Sequence, residues 1–247
     1  MSTNPMHQFE VYRIGPEIKL GPADISFTNA SLFMVISSIA ILIVFNLGSK
    51  KNSIIPNKIQ LLAELSYTFV SKMINDTAGS KAKPYFAFIF SIFMFVLFCN
   101  MFGMIPYTFT VTSHIIVTFM LAAFIFIGVT IIGFIKHGLG YLKLFVPSGV
   151  PIVLLPLIVV IEIISYLSRP VSLSVRLFAN MMAGHTLLKV IGGFVFVLGA
   201  NSFIIGGALP VAFLVALTGL EIVIAFLQAY VFAILTCLYI NDAIHLH

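Results

Sequence analysis

Five long apolar runs constrain the fold of this chain more than any other feature of its sequence. The chain has 247 residues, of which 60% are hydrophobic and 9% are charged, whereas about 25% of the residues in a soluble domain are charged. A helix needs roughly 20 apolar residues to cross the hydrocarbon core of a bilayer. The sequence therefore predicts an all-α integral membrane protein, one membrane domain over 1–247, with apolar runs at 30–47, 84–105, 115–135, 150–198 and 203–240.

The first three runs have the length of single membrane-spanning helices. The run 30–47 is predicted as one transmembrane helix, and the next two runs as a transmembrane hairpin. Between them, residues 54–76 repeat apolar side chains every three or four positions among charged ones, which predicts an amphipathic helix in the membrane interface. Residues 1–29 carry several charges and lack the apolar core of a signal peptide, so a polar N-terminal tail is predicted.

The last two apolar runs are too long to stand upright in a bilayer at ~1.5 Å of helix per residue. Pro170 and Pro210 could break each run into two spans. Alternatively, each run forms one long helix that is tilted far beyond the usual ~20°. The lengths alone slightly favour two spans.

Lysine placement predicts the orientation of the chain. Loops rich in Lys and Arg face the cytoplasm or the matrix, and the segment 106–113 contains neither residue. With five crossings, the N-terminus lies outside and the C-terminus at His247 lies in the cytoplasm or matrix. The loop lysines on the predicted inner side are Lys50, Lys51, Lys58, Lys72, Lys81, Lys83, Lys136 and Lys143.

Composition and motifs exclude several classes of function. The net charge of +5 comes from lysines in short loops rather than from one basic face, which argues against nucleic-acid binding. The chain contains none of the patterns of nucleotide-binding loops or zinc peptidases. Cys99 and Cys237 show no metal-ligand spacing and are predicted to be small buried hydrophobic residues. We therefore expect no metal and no cofactor.

Arg176 indicates function most directly, because it is a permanent cation inside an apolar run. An arginine at the centre of a membrane helix is unfavourable by about 2.5–3.5 kcal/mol, so it calls for an anionic partner or a water-filled cavity. Hydropathy alone also allows the alternative that residues 169–176 form an inside loop between two spans. In that case Arg169 and Arg176 would only mark topology.

The other polar groups of the last two runs fall opposite one another across a predicted turn near Asn201 and Ser202. Taken singly, Glu162 or Glu221 could lie at a helix end with its carboxylate in the interface or could pair with Lys189, and a lone histidine more often packs between helices than carries protons. Together they predict two titratable sites separated by a fixed cation. The predicted pairs, from inside to outside, are Glu162 with Asp242, Arg176 with Gln228, and His185 with Glu221.

Small residues follow one face of the predicted helix around Arg176. Small side chains let helices approach closely, and no unpaired carboxylate of this chain shares the depth of Arg176. This face is therefore predicted to dock a partner helix that carries an acid. His185 falls about 180° around an ideal helix from Arg176, so it shares this face only if the helix bends. The small residues are Ser168, Ser172, Ala179 and Ala183.

Three segments carry a resemblance to a known family. The sequence SLSVRLFANMMAGHTL at 172–187, the sequence EIISYLSRP at 162–170 and the stretch 221–228 resemble subunit a of F-type ATP synthases. The resemblance covers nearly the whole chain and is least specific over the first 80 residues or so. It implies one long, steeply tilted helix for each of the last two runs, and it argues against the inside-loop alternative for Arg176.

The resemblance also implies function and partners. Arg176 would face a ring of c subunits, each with a carboxylate, and would separate two aqueous half-channels. This chain would bind no nucleotide itself, and its partners would be the c ring, b-type subunits of the peripheral stalk, other synthase subunits and membrane lipids. The membrane would be the mitochondrial inner membrane or the bacterial plasma membrane. The implied outer half-channel is lined by Asn180, His185, Glu221 and Gln228, and Glu162 and Asp242 match positions near the inner one.

One departure from the enterobacterial pattern is informative. That pattern has Glu where His185 stands and His where Glu221 stands, and the exchanged arrangement resembles mitochondrial and alphaproteobacterial members. Either order keeps one imidazole beside one carboxylate. A competing hypothesis is a self-contained transporter gated by Arg176 and Glu162, which predicts inverted repeats that the sequence does not show. A purely structural membrane subunit is a third hypothesis, and it is disfavoured because a scaffold needs no stacked acid–base pairs.

Overall fold

The computed structural model describes residues 8–17, 19–20, 23–24, 26–50, 56–105, 108–146, 154–201 and 205–244. Within these ranges the chain is helical apart from its N-terminal segment and short connections. The N-terminal segment contains a small antiparallel ladder, in which β1 (Lys19–Leu20) pairs with β2 (Ala23–Asp24), and an isolated antiparallel bridge between Arg13 and Thr28. The predicted all-α membrane fold is confirmed. The helices are α1 (Asn29–Ser49), α2 (Lys58–Ala78), α3 (Phe86–Gly103), α4 (Ile115–His137), α5 (Leu155–Asn201) and α6 (Ile205–Ile244).

Five described helices are long and apolar enough to cross a membrane. The remaining helix, α2, is amphipathic: its C-terminal half buries Val70, Met73 and Ile74, whereas leucines of its first half are exposed among charged residues. Asn57 caps its start by accepting a hydrogen bond from the Lys58 amide. The segments that qualify as spans are Asn29–Ser49, Lys81–Gly103, Ile115–Phe145, Leu155–Val195 and Pro210–Ile244.

The last two helices are continuous. α5 has 47 residues with Pro170 inside it, and α6 has 40 residues with Pro210 inside it. The two-span alternative and the inside-loop alternative for residues 169–176 are therefore wrong. A proline removes one backbone hydrogen bond, but neighbouring groups in a membrane protein can compensate for that loss, so the helix need not end.

Helix ends differ from the predicted boundaries by a few residues. α1 ends at Ser49, α4 at His137 and α6 at Ile244, whereas 47, 135 and 240 were the predicted ends. The predicted starts at 54, 150 and 203, the predicted turn at Ser202 and the C-terminus at His247 lie outside the described residues. α4 ends at His137, where Gly138 adopts a φ of 55°, a left-handed conformation that favours glycine after a helix.

The chain packs as two compact units. One unit contains Met1–Asn46, Met94–His114 and Leu177–Ala229. The other contains Leu47–Phe93, Ile115–Arg176 and Tyr230–His247. We call them the first and the second unit.

In the first unit, a buried amide joins α3 to α6. The side chain of Asn100 is fully buried, and its Nδ2 donates a hydrogen bond to the carbonyl of Ala225 at 3.0 Å. Ala225 is itself completely buried, so the two helices approach closely at this point. A buried polar group that is hydrogen-bonded to backbone adds specificity to helix packing, because an unpaired amide in this environment would be strongly unfavourable.

In the second unit, three hydroxyl groups connect α4, the 3₁₀ segment Gly138–Phe145 and α5. The hydroxyl of Tyr166 lies 2.7 Å from that of Thr130 and 3.0 Å from that of Tyr141. Tyr141 is 2% exposed and its ring lies against Gly133 of α4, where a Cβ would come within 2.3 Å of the ring. Gly133 is thus required for this approach.

We expect Gly133→Ala to destabilise the protein by about 1–3 kcal/mol, because the buried Tyr141 ring must move and leave its hydroxyl partner. Gly128→Ala, five residues earlier in the same helix, is the matched control. A Cβ there meets its nearest atom at 3.8 Å, an ordinary contact. Thermal unfolding of the purified protein in detergent measures both variants. Equal midpoints for the two variants would contradict the prediction.

Candidate functional site

The first unit brings His185 of α5 and Glu221 of α6 together. The Nδ1 atom of His185 lies 3.4 Å from Oε1 of Glu221. Farther along the two helices, Leu188 and Gly192 line one cavity with Thr218 and Leu214, so α5 and α6 run antiparallel in this unit. The sequence predicted this facing pair because the two residues lie at nearly equal distances from the turn.

The side chain of Glu221 lies against Gly184 of α5, in space that a side chain at position 184 would fill. Glu221 is 4% exposed, and a Cβ on Gly184 would come within 2.6 Å of Oε1 and 3.0 Å of Cδ of Glu221. Neither carboxyl oxygen has a hydrogen-bond partner among the described residues. Buried polar atoms are nearly always hydrogen-bonded, so a buried carboxyl group without a partner is a candidate for proton exchange. Sequence analysis did not identify Gly184.

The imidazole of His185 has a second neighbour that sequence analysis also missed. Thr110, in the connection between α3 and α4, places its Oγ1 atom 3.2 Å from Nε2 of His185. The same hydroxyl donates a hydrogen bond to the carbonyl of Gly103 at 3.4 Å. Both Thr110 and His185 line a cavity of 840 Å³ in this unit. The ring therefore links a cavity to a buried carboxyl group.

The N-terminal segment forms another wall of that cavity, which Gln8, Glu10, Tyr12 and Asn29 line. Asn29 holds the segment in place: its Oδ1 accepts from the Tyr12 amide at 3.1 Å, and its Nδ2 donates to the Glu10 carbonyl at 3.1 Å. The Tyr12 hydroxyl donates to the Glu10 carboxylate at 2.9 Å, and this bond raises the pKa of the Tyr12 phenol. The predicted polar tail thus contributes to the site.

The second unit contains an ion pair at the other end of the same two helices. Nη1 of Arg169 lies 3.0 Å from Oδ2 of Asp242. The guanidinium also lies over two aromatic rings, 5.5 Å from the centroid of Tyr166 and 5.2 Å from that of Tyr239. Asp242 is therefore paired with Arg169 and not with Glu162, the partner that the sequence suggested. Arg169 lies about two turns along α5 from Glu162. The physical reason is charge: a cation attracts Asp242, whereas Glu162 would repel it.

Arg176 lies on an exposed face of α5. Within the described part of the chain it forms no ion pair. Leu173, Ser174 and Leu177 on the same turns are buried, so α5 packs along a face next to the one that carries Arg176. The predicted small residues Ser168, Ser172, Ala179 and Ala183 are all exposed as well.

The remaining predicted residues are not brought into one cluster. Asn180 is exposed, whereas Glu162 and Gln228 are partly buried. Arg176 and Gln228 belong to different units, and their pairing stays a prediction. The described residues contain no group of three His, Cys, Asp or Glu side chains that could hold a metal ion. Cys99 and Cys237 are free and buried.

Comparison with known proteins gives one consistent result. Residues 31–241 match the model of the family described as ATP synthase A chain. The chain is 84% identical to the ATP synthase subunit a of Pelagibacter ubique (strain HTCC1062), over 100% of both chains. It is 56% identical to the ATP synthase subunit a of Chelativorans sp. (strain BNC1), over 99% of each chain. Identity to the protein of the same name from Rhizobium meliloti (strain 1021) is 57%, over 99% of this chain and 98% of that one.

The contact between Gly184 and Glu221 predicts an energetic coupling. We expect Gly184→Ala to destabilise the protein by about 1 kcal/mol or more, because the buried carboxyl group must leave its position. In a Glu221→Ala background the new methyl group meets no carboxyl group, and the same change should be close to neutral.

A double-mutant cycle on thermal unfolding in detergent measures this coupling. Gly219→Ala, on α6, is the matched control, since nothing lies within 4 Å of a Cβ at that position. A Gly184→Ala effect that is the same in both backgrounds would rule out the contact.

Proposed function

Because the chain belongs to the ATP synthase A chain family, we propose that it conducts protons through the membrane part of a bacterial F-type ATP synthase. In this proposal the chain binds no nucleotide and is not itself catalytic. Its side chains only take up and release protons. It passes protons to and from a rotating ring of c subunits. The lysine-rich loops face the cytoplasm, and the N-terminus and the His185 cavity face the outside.

The pair of His185 and Glu221 carries the proposal. A buried carboxyl group whose oxygens accept no hydrogen bond from the described residues lies 3.4 Å from an imidazole nitrogen. That imidazole lines a cavity of 840 Å³. A histidine changes its charge near neutral pH, so it can receive a proton from water in the cavity and hand it to the carboxylate. A scaffold subunit would have no use for this arrangement.

Arg176 supplies the second element of the mechanism. Its guanidinium is exposed on α5 among small residues, and an unpaired arginine in lipid is unfavourable by about 2.5–3.5 kcal/mol. A carboxylate on a neighbouring helix removes that penalty, and Ser168, Ser172, Ala179 and Ala183 let such a helix come close. We therefore assign this face of α5 to the c ring. The b-type subunits of the peripheral stalk are expected to bind elsewhere on the chain.

The proposed path has two parts separated by this arginine. Protons enter from the outside through the cavity, pass His185 and Glu221, and neutralise a carboxyl group of the ring. After nearly a full turn they leave toward the cytoplasm near Glu162 and Asp242, with Asn180 and Gln228 as polar residues beside the outer path. A guanidinium does not give up its proton in a protein, so Arg176 blocks a direct leak between the two parts.

Reconstitution tests whether the ring is required. Liposomes that contain this chain alone are expected to show no proton flux above that of empty liposomes, whereas the complete membrane sector should conduct. The measurement is the quenching of a pH-sensitive dye under an imposed potential. Specific flux through the chain alone would favour a self-contained transporter and contradict the proposal.

Arg176→Lys is expected to stop coupled proton pumping. Lysine retains the charge but lacks the planar fork that binds a carboxylate through two hydrogen bonds. ATP-driven acidification of liposomes that contain the whole synthase measures the effect, with subunit content checked by gel. Arg13→Lys, an equivalent change in the exposed N-terminal segment, is the control and should pump normally. Normal pumping by Arg176→Lys would refute its assigned role.

A further inference from the structure

We propose that Thr110 is a positioning residue that selects the tautomer of His185 and so directs proton exchange toward Glu221. The proposal rests on the proton-conducting function assigned above and adds a residue outside α5 and α6. Thr110 lies in the connection between α3 and α4, is 5% exposed, and belongs to the same unit as His185. Its hydroxyl is therefore held in place while it faces the imidazole ring.

The surroundings of Thr110 leave its side chain little freedom. A Cβ on Gly103 would come within 2.7 Å of Cγ2 and 2.9 Å of Oγ1 of Thr110. The side chain thus fills the space that glycine leaves at the end of α3. In this position Oγ1 reaches two groups at once, the Gly103 carbonyl at 3.4 Å and Nε2 of His185 at 3.2 Å.

Hydrogen-bond chemistry then decides which atoms carry protons. A hydroxyl has one proton to donate, and a carbonyl oxygen can only accept. When both contacts form, the Thr110 proton points to Gly103, and Oγ1 must accept a hydrogen bond from Nε2–H of His185. A neutral imidazole has a proton on only one nitrogen. Nδ1 is therefore bare, and it is the nitrogen that lies 3.4 Å from Oε1 of Glu221.

This tautomer makes Nδ1 the site of proton exchange. Uptake of a proton from cavity water at Nδ1 gives an imidazolium whose new proton is on the nitrogen that lies 3.4 Å from Oε1 of Glu221. Transfer breaks that N–H bond, leaves its electron pair on Nδ1 and forms an O–H bond on Oε1. The products are a neutral imidazole and a neutral carboxylic acid. In the other tautomer, Nδ1 of the neutral ring already carries a proton. That nitrogen then has no lone pair with which to accept a proton.

A neighbouring threonine provides a matched control. The hydroxyl of Thr112 is also buried, but it has no hydrogen-bond partner among the described residues. Thr→Val keeps the shape of the side chain and removes the hydroxyl at either position. Thr110→Val therefore tests the bond to His185, and Thr112→Val tests the general effect of removing a buried hydroxyl from this connection.

The first measurement is ATP-driven proton pumping by the intact synthase in liposomes. We expect Thr110→Val to lower the rate about fivefold to tenfold, as for the loss of one hydrogen bond. Thr110→Ser, which retains the hydroxyl, and Thr112→Val should pump at close to the unchanged rate. Equal losses in Thr110→Val and Thr112→Val would overturn the proposal, because the effect would then be structural.

The second measurement reports the tautomer itself and needs no variant of Thr110. Solid-state nitrogen-15 spectra of the histidine-labelled synthase distinguish protonated from bare ring nitrogens, and His185→Gln identifies the resonances of His185. We expect a protonated Nε2 and a bare Nδ1 in the neutral ring. A protonated Nδ1 would overturn the proposal, even if Thr110→Val does not assemble.

Glu221→Gln separates this proposal from the function on which it depends. If Glu221→Gln abolishes pumping while Thr110→Val pumps at the unchanged rate, Thr110 has no positioning role but the proton-conducting function stands. If Glu221→Gln pumps normally, the proposed function itself is wrong, and the role of Thr110 falls with it.

Discussion

The structure depends on how ionisable side chains in the membrane-spanning helices are placed, because a charge exposed to lipid is strongly unfavourable. His185 lies beside Glu221 in the first unit, and Arg169 forms an ion pair with Asp242 in the second. Each pair joins α5 to α6 and so defines how these helices align within its own unit. Arg176 is exposed on α5 and forms no ion pair among the described residues, which is the reason to look for a partner outside the chain.

Buried polar groups of this chain fall into two kinds. Asn100 donates to a backbone carbonyl of α6, and the hydroxyl of Tyr166 contacts those of Thr130 and Tyr141. These hydrogen bonds hold helices together, although Oδ1 of Asn100 has no partner among the described residues. The carboxyl group of Glu221 is equally buried, but its oxygens accept nothing from the described residues. An unsatisfied buried acid beside an imidazole is unfavourable for stability alone, which is why we place function there.

Within the candidate site, the sequence predicted what depends on distance along the chain and missed what depends on side-chain reach. His185 and Glu221 could be paired from the sequence because, in two antiparallel helices, residues that are equally far from the connecting turn lie at the same depth. Arg169 was missed as the partner of Asp242 because a long side chain can reach along its helix toward an opposite charge. Thr110 and Gly184 were missed because the sequence around a single threonine or glycine does not indicate which side chain that residue contacts.

The sequence by itself determined a helical membrane protein and its number of apolar runs, since backbone groups in lipid must bond within their own helix. It also singled out Arg176, because a permanent cation in an apolar run is conspicuous without any structure. Length and hydropathy left open whether the last two runs break at Pro170 and Pro210, and the structure decided that α5 and α6 continue, as the family resemblance implied. Only the tertiary structure placed Thr110 against His185 and the Glu221 carboxyl group against Gly184. These contacts join segments far apart in the chain, and their distances arise only when the helices pack.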